Sequence, residues 1–147
     1  MQEHTKRFDM IVQKFREHGL KITPQRLAIS KILAKSEGHP CVEDIHVQII
    51  KDFPTMSLAT VYKNISLLKS LGEVLELGLP DGSNRYDGNK PYPHPHVICT
   101  KCKKILDLDL ESLDDMQKEV EKTTQVTILH HRLDFFGVCS SCGQDNG

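Results

Sequence analysis

Four of the five cysteines stand in two closely spaced pairs, a pattern that is typical of a metal site. Two residues separate Cys99 from Cys102, and two separate Cys139 from Cys142. This spacing lets a tight turn aim both sulfurs at one ion, and two pairs supply the four thiolates of a tetrahedral zinc site. The alternative is a redox pair, which would open a helix after a buried strand. Because lysines and a glycine flank the pairs, we expect turns at both and a structural Zn²⁺ held by the four sulfurs.

Cys41 stands outside these pairs. The number of cysteines is odd, and the first residues lack the apolar stretch of a signal peptide, so we expect a cytoplasmic protein with free thiols rather than disulfides. Cys41 follows His39-Pro40 and is interpreted as a buried residue at a helix start. An accessory metal ligand or a redox thiol is the alternative.

A second set of possible ligands combines histidines with carboxylates. His94 and His96 alternate just before the first cysteine pair, so an extended strand points both to one side. His39 lies between two expected helices, Asp87 ends an expected hairpin, and Asp107 lies in the strand after the first pair. Three imidazoles and two carboxylates form a set that suits Fe²⁺ or Mn²⁺, whereas thiolates favour zinc. For any single histidine, an ordinary surface or core role is the alternative.

The composition is that of a globular protein with an uneven charge distribution. The 147 residues are 38% hydrophobic and 27% charged, with a net charge of −1. No apolar run approaches the roughly 20 residues of a membrane helix, so we expect no membrane partner. Residues 1–36 carry eight basic and three acidic residues, whereas residues 105–121 carry seven acidic residues and one lysine. This asymmetry favours a first half that faces nucleic acid, with solvated charge runs as the alternative.

The residue pattern of the first half of the chain predicts four helices followed by a short hairpin. Apolar residues recur at helical spacing four times, and Thr23-Pro24 and Ser57 are typical helix starts. Residues 80–82 (PDG) form a turn signal between two short strands. Helices followed by a two-stranded hairpin are the winged helix-turn-helix plan, in which the helix before the hairpin enters the major groove of DNA. We therefore predict a winged-helix DNA-binding domain over residues 1–87.

The polar face of the fourth expected helix carries side chains that suit contact with DNA. Lys63 can reach a phosphate or a guanine, and Asn64 can read the edge of an adenine. Tyr62 can contact a phosphate or the methyl group of a thymine, and Thr60 lies on the same face. The alternative is a polar face that only contacts water.

The second half predicts a small α/β module after a hinge. Residues 88–93 include two prolines, a glycine and an asparagine, which is typical of a linker. Residues 94–147 contain two short strands around the first cysteine pair, a helix over 113–120 and a third strand over 126–136. Such a sheet is too small to be stable alone, so we expect a second copy of the chain to cover its edge and Phe135-Phe136. The prediction is an α+β chain that forms a symmetric homodimer.

Several of these segments together resemble the Fur family of metal-dependent transcriptional repressors. They are residues 22–26 (ITPQR), residues 57–64 (SLATVYKN), residues 94–102 (HPHVICTKC) and the terminal cysteine pair, in order over nearly the whole chain. The resemblance implies a C-terminal dimerisation domain with a Cys₄ zinc site and a regulatory metal that draws the dimer onto a palindromic operator in double-stranded DNA. It also adds Arg26 to the expected DNA contacts. By motif, the regulatory ligands are His39, Asp87, His94, His96 and Asp107.

The residue type at position 107 indicates which chemical signal the repressor senses. Peroxide-sensing members of the family resemble this chain in having aspartate there, whereas iron-sensing members usually have glutamate. The resemblance then implies that Fe²⁺ and hydrogen peroxide oxidise His39 and His94, so that the metal leaves and DNA is released.

The segment before the first cysteine pair departs from the iron-sensor pattern His-His-Asp-His. Pro93 and Pro95 stand where that pattern has a histidine and the aspartate that help to build a third metal site. His131 then has too few partners, and we expect two metal sites per chain.

Three alternatives stay open at this point. Within the family, the chain could be a repressor that senses the level of iron or of zinc. Outside it, the histidine and carboxylate set could belong to a small metallohydrolase, which needs an open metal position and a general base. Five ligands leave at most one open position, so we expect a regulator and not an enzyme.

Overall fold

The computed structural model describes residues 2–36 and 38–144, and the chain divides into two compact units, Met1–Tyr92 and Pro93–Gly147. Met1, Glu37 and residues 145–147, which belong to the predicted domains, lie outside the described residues. The division falls at the end of the predicted hinge, residues 88–93, and hinge motion stays a prediction.

The first unit consists of four helices and a hairpin. The helices are α1 (Gln2–Glu17), α2 (Pro24–Lys35), α3 (Val42–Ile49) and α4 (Leu58–Ser70), and the hairpin strands are β1 (Leu75–Gly78) and β2 (Asn84–Asp87). The predicted starts of two helices are confirmed. Thr23 Oγ1 accepts the N–H of Arg26 at 3.2 Å, and Ser57 Oγ accepts the N–H of Thr60 at 3.1 Å. These caps satisfy amides that the first helical turn leaves without intrahelical partners.

One apolar core holds the four helices together. Its fully buried members come from every helix and are Ile11, Phe15, Ile29, Leu33, Ile45, Ile49, Val61, Ile65 and Leu68. Each such side chain contributes roughly 1.5–3 kcal/mol relative to an exposed one. The antiparallel hairpin closes the unit, with Leu75 opposite Asp87 and Gly78 opposite Asn84. The predicted winged-helix order of elements is therefore present.

The second unit is a three-stranded sheet with two helices. The elements are β3 (His96–Cys99), β4 (Ile105–Asp107), α5 (Leu113–Thr124), β5 (Asp134–Gly137) and α6 (Ser140–Gln144). The strand order is β4-β3-β5, with β3 antiparallel to β4 and parallel to β5. Together with the first unit this makes the α+β chain that the sequence predicts.

Two predictions about the second unit are wrong. The composition of residues 126–136 predicts a strand over that whole segment, but β5 begins only at Asp134. Among the residues that the structure describes, β5 pairs with β3, and their register runs from Asp134 to Gly137. The N–H of His96 also donates to the carbonyl of Leu133, but farther back the chain leaves the sheet, and Leu129 is 88% exposed. The flanking residues predict a turn at the second cysteine pair, but Cys139 immediately precedes helix α6 and Cys142 lies within it. The N–H of Gly143 donates to the carbonyl of Cys139 at 2.8 Å.

Within the described residues, the helices are all too short or too polar to cross a membrane.

Candidate metal centres and DNA-binding helix

The four paired cysteines converge at one end of the second unit. Cys99 ends β3, Cys102 lies in the turn that follows, Cys139 follows β5, and Cys142 lies in α6. Because β3 and β5 are parallel neighbours, their ends bring the two pairs together. One sulfur from each residue lies within 4.8 Å of the others, and the Sγ atoms of Cys102 and Cys139 are 3.8 Å apart.

The electrostatics of this cluster suit a cation. The backbone amides of Cys139 and Cys102 lower the pKa of the Cys99 thiol to about 5. The backbone amide of Cys142 lowers the pKa of Cys139, and the Cys139 sulfur raises the pKa of Cys142 to about 12. Closely spaced thiolates repel each other electrostatically, and a bound dication offsets that repulsion. The donor set of four sulfurs fits tetrahedral zinc.

In the first unit, His39 and Asp87 face each other. Their Nε2 and Oδ2 atoms are 3.1 Å apart, and both side chains are buried. Strand β2 ends at Asp87, and the N–H of its Tyr86 donates to the carbonyl of Pro40 at 3.0 Å, which anchors the loop of His39 beside the strand. His39 has a φ of +54°, a left-handed conformation that is unusual for a residue with a side chain.

Asp87 is held as a carboxylate. Burial by itself would raise the pKa of Asp87, but hydrogen bonds from His39 and from the backbone amides of Lys90 and Asn89 lower it below its usual value. An ionised carboxylate next to an imidazole is a ready pair of metal donors.

In the second unit, His94 and His96 gather around Asp107. Strand pairing sets His96 opposite Asp107. Asp107 Oδ1 lies 2.8 Å from His94 Nε2 and 3.5 Å from His96 Nε2, and the two imidazole rings are 4.3 Å apart at their centres. Both histidines therefore direct Nε2 to the same carboxylate oxygen, as the alternation along the sequence predicts.

Asp134 is a member of this group that the sequence reasoning missed. Its Oδ1 lies 3.5 Å from His96 Nδ1, and its Oδ2 accepts from Arg132 Nε at 2.6 Å. At 3.5 Å the contact is longer than a hydrogen bond, but it places a carboxylate beside the nitrogen of His96 that faces away from Asp107, where an outer partner of a metal ligand usually lies. No local motif marks Asp134, because its place opposite His96 depends on the parallel pairing of β3 with β5.

Each unit therefore contains its own group of imidazole nitrogen and carboxylate oxygen atoms that could bind a metal. The donor chemistry in both groups fits Fe²⁺ or Mn²⁺ and differs from the all-sulfur cluster. One ion shared by all five side chains stays a prediction.

Four of the five residues expected to contact DNA lie on α4, and their side chains differ in exposure and in hydrogen bonding. Tyr62 is 48% exposed and Lys63 is also exposed, so both can reach a ligand. Thr60 Oγ1 bonds with Ser57 Oγ, and Asn64 Nδ2 donates to the Thr60 carbonyl at 2.8 Å.

Arg26 differs from these residues because it lies on α2. Its Nη1 donates to the carbonyl of Lys21 at 2.6 Å. Tyr62 and Lys63 are thus the side chains whose exposure best suits direct contact with DNA.

Comparisons of the sequence and of the fold with known proteins agree over most of the chain. The profile of the ferric uptake regulator family matches residues 17–136. The peroxide-responsive repressor PerR of Staphylococcus epidermidis is 37% identical over 134 residues, which are 91% of this chain and 89% of that protein. The Campylobacter jejuni peroxide stress regulator has a TM-score of 0.71 at 36% identity and covers 89% of this chain and 98% of its own.

A more distantly related structure shares the fold. The Helicobacter pylori ferric uptake regulator Fur, described as having three functional metal binding sites, has a TM-score of 0.82 over 95% of this chain and 93% of its own, at 24% identity. At that identity the likeness concerns the fold.

Proposed function

Since this chain belongs to the ferric uptake regulator family, we propose that it is a metal-dependent DNA-binding repressor that releases DNA in response to hydrogen peroxide. The observation that carries the proposal is the nitrogen and oxygen donor set, His39 with Asp87 and His94 with His96 around Asp107. The name of the S. epidermidis relative supports the peroxide signal. That relative is a repressor, and the chain is accordingly a regulator and not a metallohydrolase.

The five donors hold one Fe²⁺ or Mn²⁺ in the proposed site. His39 and Asp87 belong to the first unit, and the other three ligands belong to the second. An ion bound by all five therefore favours one arrangement of the two units over others, by the difference in its affinity for them. In the metal-bound arrangement, the α4 helices of a homodimer read a palindromic operator in the cytoplasm.

Peroxide sensing then falls to His39 and His94. These two imidazoles lie among the ligands that would hold the ion, and an Fe²⁺ bound there, unlike Mn²⁺, would supply the redox chemistry that opens the O–O bond of hydrogen peroxide. One peroxide oxygen would then be added to a ring carbon of His39 or His94, and the other would leave as water. An oxidised imidazole is a poor metal ligand, so the two units lose their shared ion and DNA is released. The four paired cysteines take no part in sensing, because zinc holds their thiolates.

The homodimer is supported by the apolar surface of the second unit. Phe135 and Phe136 are 46% and 52% exposed on β5, and Met116 and Val120 are exposed on α5. A second copy of the chain would remove this surface from water.

The proposal predicts a stoichiometry of two metal ions per chain, one in the zinc site and one in the regulatory site. Pro93 and Pro95 offer no donor side chain at positions where a third site would need them. Elemental analysis of protein saturated with Mn²⁺ should give one zinc and one manganese. A second manganese of comparable affinity would contradict the two-site proposal.

The mass of the intact protein tests peroxide sensing. Protein loaded with Fe²⁺ or with Mn²⁺ without oxygen is treated with hydrogen peroxide, and binding to a palindromic operator is measured in parallel. We expect the Fe²⁺ form alone to gain the mass of one oxygen atom, to carry it on His39 or His94, and to lose DNA. An unmodified protein, or one oxidised only at cysteine, would contradict the proposal; DNA release only on metal removal would indicate an iron-level sensor.

The substitution Asp107→Glu tests the role of residue 107. Asp107 Oδ1 lies 2.8 Å from His94 Nε2, and one added methylene displaces the carboxylate relative to that ring. We expect metal-dependent DNA binding to persist and oxidation by peroxide to slow roughly 10–100-fold, since misplacement by ~1 Å can cost that much. Asp109→Glu, at an exposed position in the same segment, is the matched control. Equal oxidation rates in the two variants would show that residue 107 does not tune the reaction.

A further inference from the structure

We infer that Arg7, in helix α1, is a positioning residue for the proposed metal ligand Asp87 and helps to set the affinity for the regulatory metal. The inference rests on the proposed function, in which Asp87 binds that metal. Helix α1 carries none of the proposed ligands, so the effect would pass through the backbone that follows Asp87.

The guanidinium of Arg7 is buried, and each of its three nitrogens has a partner. Only 7% of the residue is exposed. Its Nε donates to the carbonyl of Gly88 at 2.7 Å, and its Nη2 donates to the carbonyl of Glu73 at 2.8 Å. Its Nη1 forms an ion pair with Glu73 Oε2 at 2.7 Å. A buried charge is tolerated when it is paired and hydrogen-bonded in this way, and the planar fork fixes the direction of each bond.

Gly88 also packs closely against helix α2. A Cβ added to Gly88 would lie 2.7 Å from Leu33 Cβ and 2.9 Å from both the carbonyl carbon and the carbonyl oxygen of Leu33. The backbone at Gly88 is therefore packed directly against α2, and Arg7 holds its carbonyl. Together these contacts leave the Gly88 peptide little freedom to move.

The carboxylate of Asp87 takes its orientation from this pinned segment. Its Oδ1 accepts the N–H of Asn89 at 2.9 Å and the N–H of Lys90 at 2.8 Å. These bonds leave Oδ2 directed to His39. A shift of the Gly88 peptide would move both amide donors and rotate Oδ2 away from His39, which weakens metal binding in the way that loss of an outer hydrogen bond does.

The affinity for Mn²⁺, titrated into the zinc-containing full-length protein without oxygen, tests this inference. We expect Arg7→Met to weaken Mn²⁺ binding roughly 10–100-fold, as removal of an outer-shell partner typically does. Arg7→Lys keeps the charge but cannot donate to both carbonyls, and we expect an intermediate loss. Lys6→Met, at an exposed neighbouring position of α1, should bind Mn²⁺ like the wild type. Zinc content should stay unchanged in every variant.

A double-mutant cycle with Asp87→Asn separates positioning from general destabilisation. If Arg7 acts through Asp87, Arg7→Met should weaken Mn²⁺ binding in the wild type and have little further effect in Asp87→Asn. An equal loss in both backgrounds, or none in either, overturns the inference. If Arg7→Met does not fold, the same cycle with Arg7→Lys decides.

The cycle also separates this inference from the proposed function. Wild-type Mn²⁺ affinity in the Arg7 variants, combined with weak binding in Asp87→Asn, overturns only the role of Arg7. Wild-type affinity in Asp87→Asn would show that Asp87 is not a ligand and would overturn both.

Discussion

Replacing Gly88 by alanine should lower the stability of the first unit by a predictable amount. The new Cβ would meet Leu33 at 2.7–2.9 Å, and two of the three contacts are with backbone atoms of α2, which cannot rotate away. Overpacking of this kind costs about 1–3 kcal/mol, and the reduced freedom of the unfolded chain returns about 0.4–1 kcal/mol. The middle of both ranges gives a net loss of about 1.3 kcal/mol, which for a unit of this size corresponds to a melting temperature lower by roughly 5–10 °C.

Thermal unfolding followed by circular dichroism measures this effect in protein that contains zinc but no regulatory metal. Gly38→Ala is the matched control in the same unit. In the described part of the chain, nothing lies within 4 Å of a Cβ at that position, and its φ is not in the left-handed region. Gly38→Ala should therefore melt at the wild-type temperature or slightly above it. A Gly88→Ala protein that melts within 1 °C of the control would refute the close packing against Leu33.

Three further predictions concern zinc, a helix cap and a buried phenol. Cys142→Ser should abolish stoichiometric zinc and unfold the second unit, whereas Ser141→Ala should retain zinc by elemental analysis; full zinc occupancy in Cys142→Ser would contradict the four-sulfur site. Thr23→Ala should lower the free energy of unfolding in urea by about 1 kcal/mol, because it removes the cap of α2, and the exposed Thr55→Ala should change it by less than about 0.5 kcal/mol. Burial raises the pKa of Tyr86 above its usual value of 10.0, so above that pH the unfolded chain loses the phenolic proton first and stability falls. Tyr86→Phe should flatten this alkaline loss, and an unchanged pH profile would count against it.

Local signals explain which parts of the fold the sequence predicts well. Thr23 and Ser57 cap helices through bonds that span three residues, so short motifs predict them. The composition of residues 126–136 predicts a longer strand than the observed one, Asp134–Gly137. Composition cannot specify how many residues of a segment find partners on a neighbouring strand. Long-range pairing decides that length.

The same distinction applies to the metal centres. The spacing of the cysteines and of His94 and His96 is visible in the sequence. Arg7 contacts a carbonyl 81 residues away, and Asp134 meets His96 only through strand pairing. Groups that position ligands from outside the binding motif therefore escape sequence reasoning, although the ligands themselves do not.

The left-handed backbone of His39 has a consequence for how this protein could change under selection. A φ of +54° costs a residue with a side chain roughly 1–2 kcal/mol, a cost that glycine does not carry. Glycine at this position would relieve that strain, but it would also remove the buried imidazole that faces the Asp87 carboxylate. Leaving a buried charged group without this partner costs about 1–3 kcal/mol or more, and the greater freedom of glycine in the unfolded chain costs about 0.5–1 kcal/mol. Selection for heat resistance alone should therefore keep histidine at codon 39, as selection for regulated gene expression should, so that two independent pressures act on one side chain.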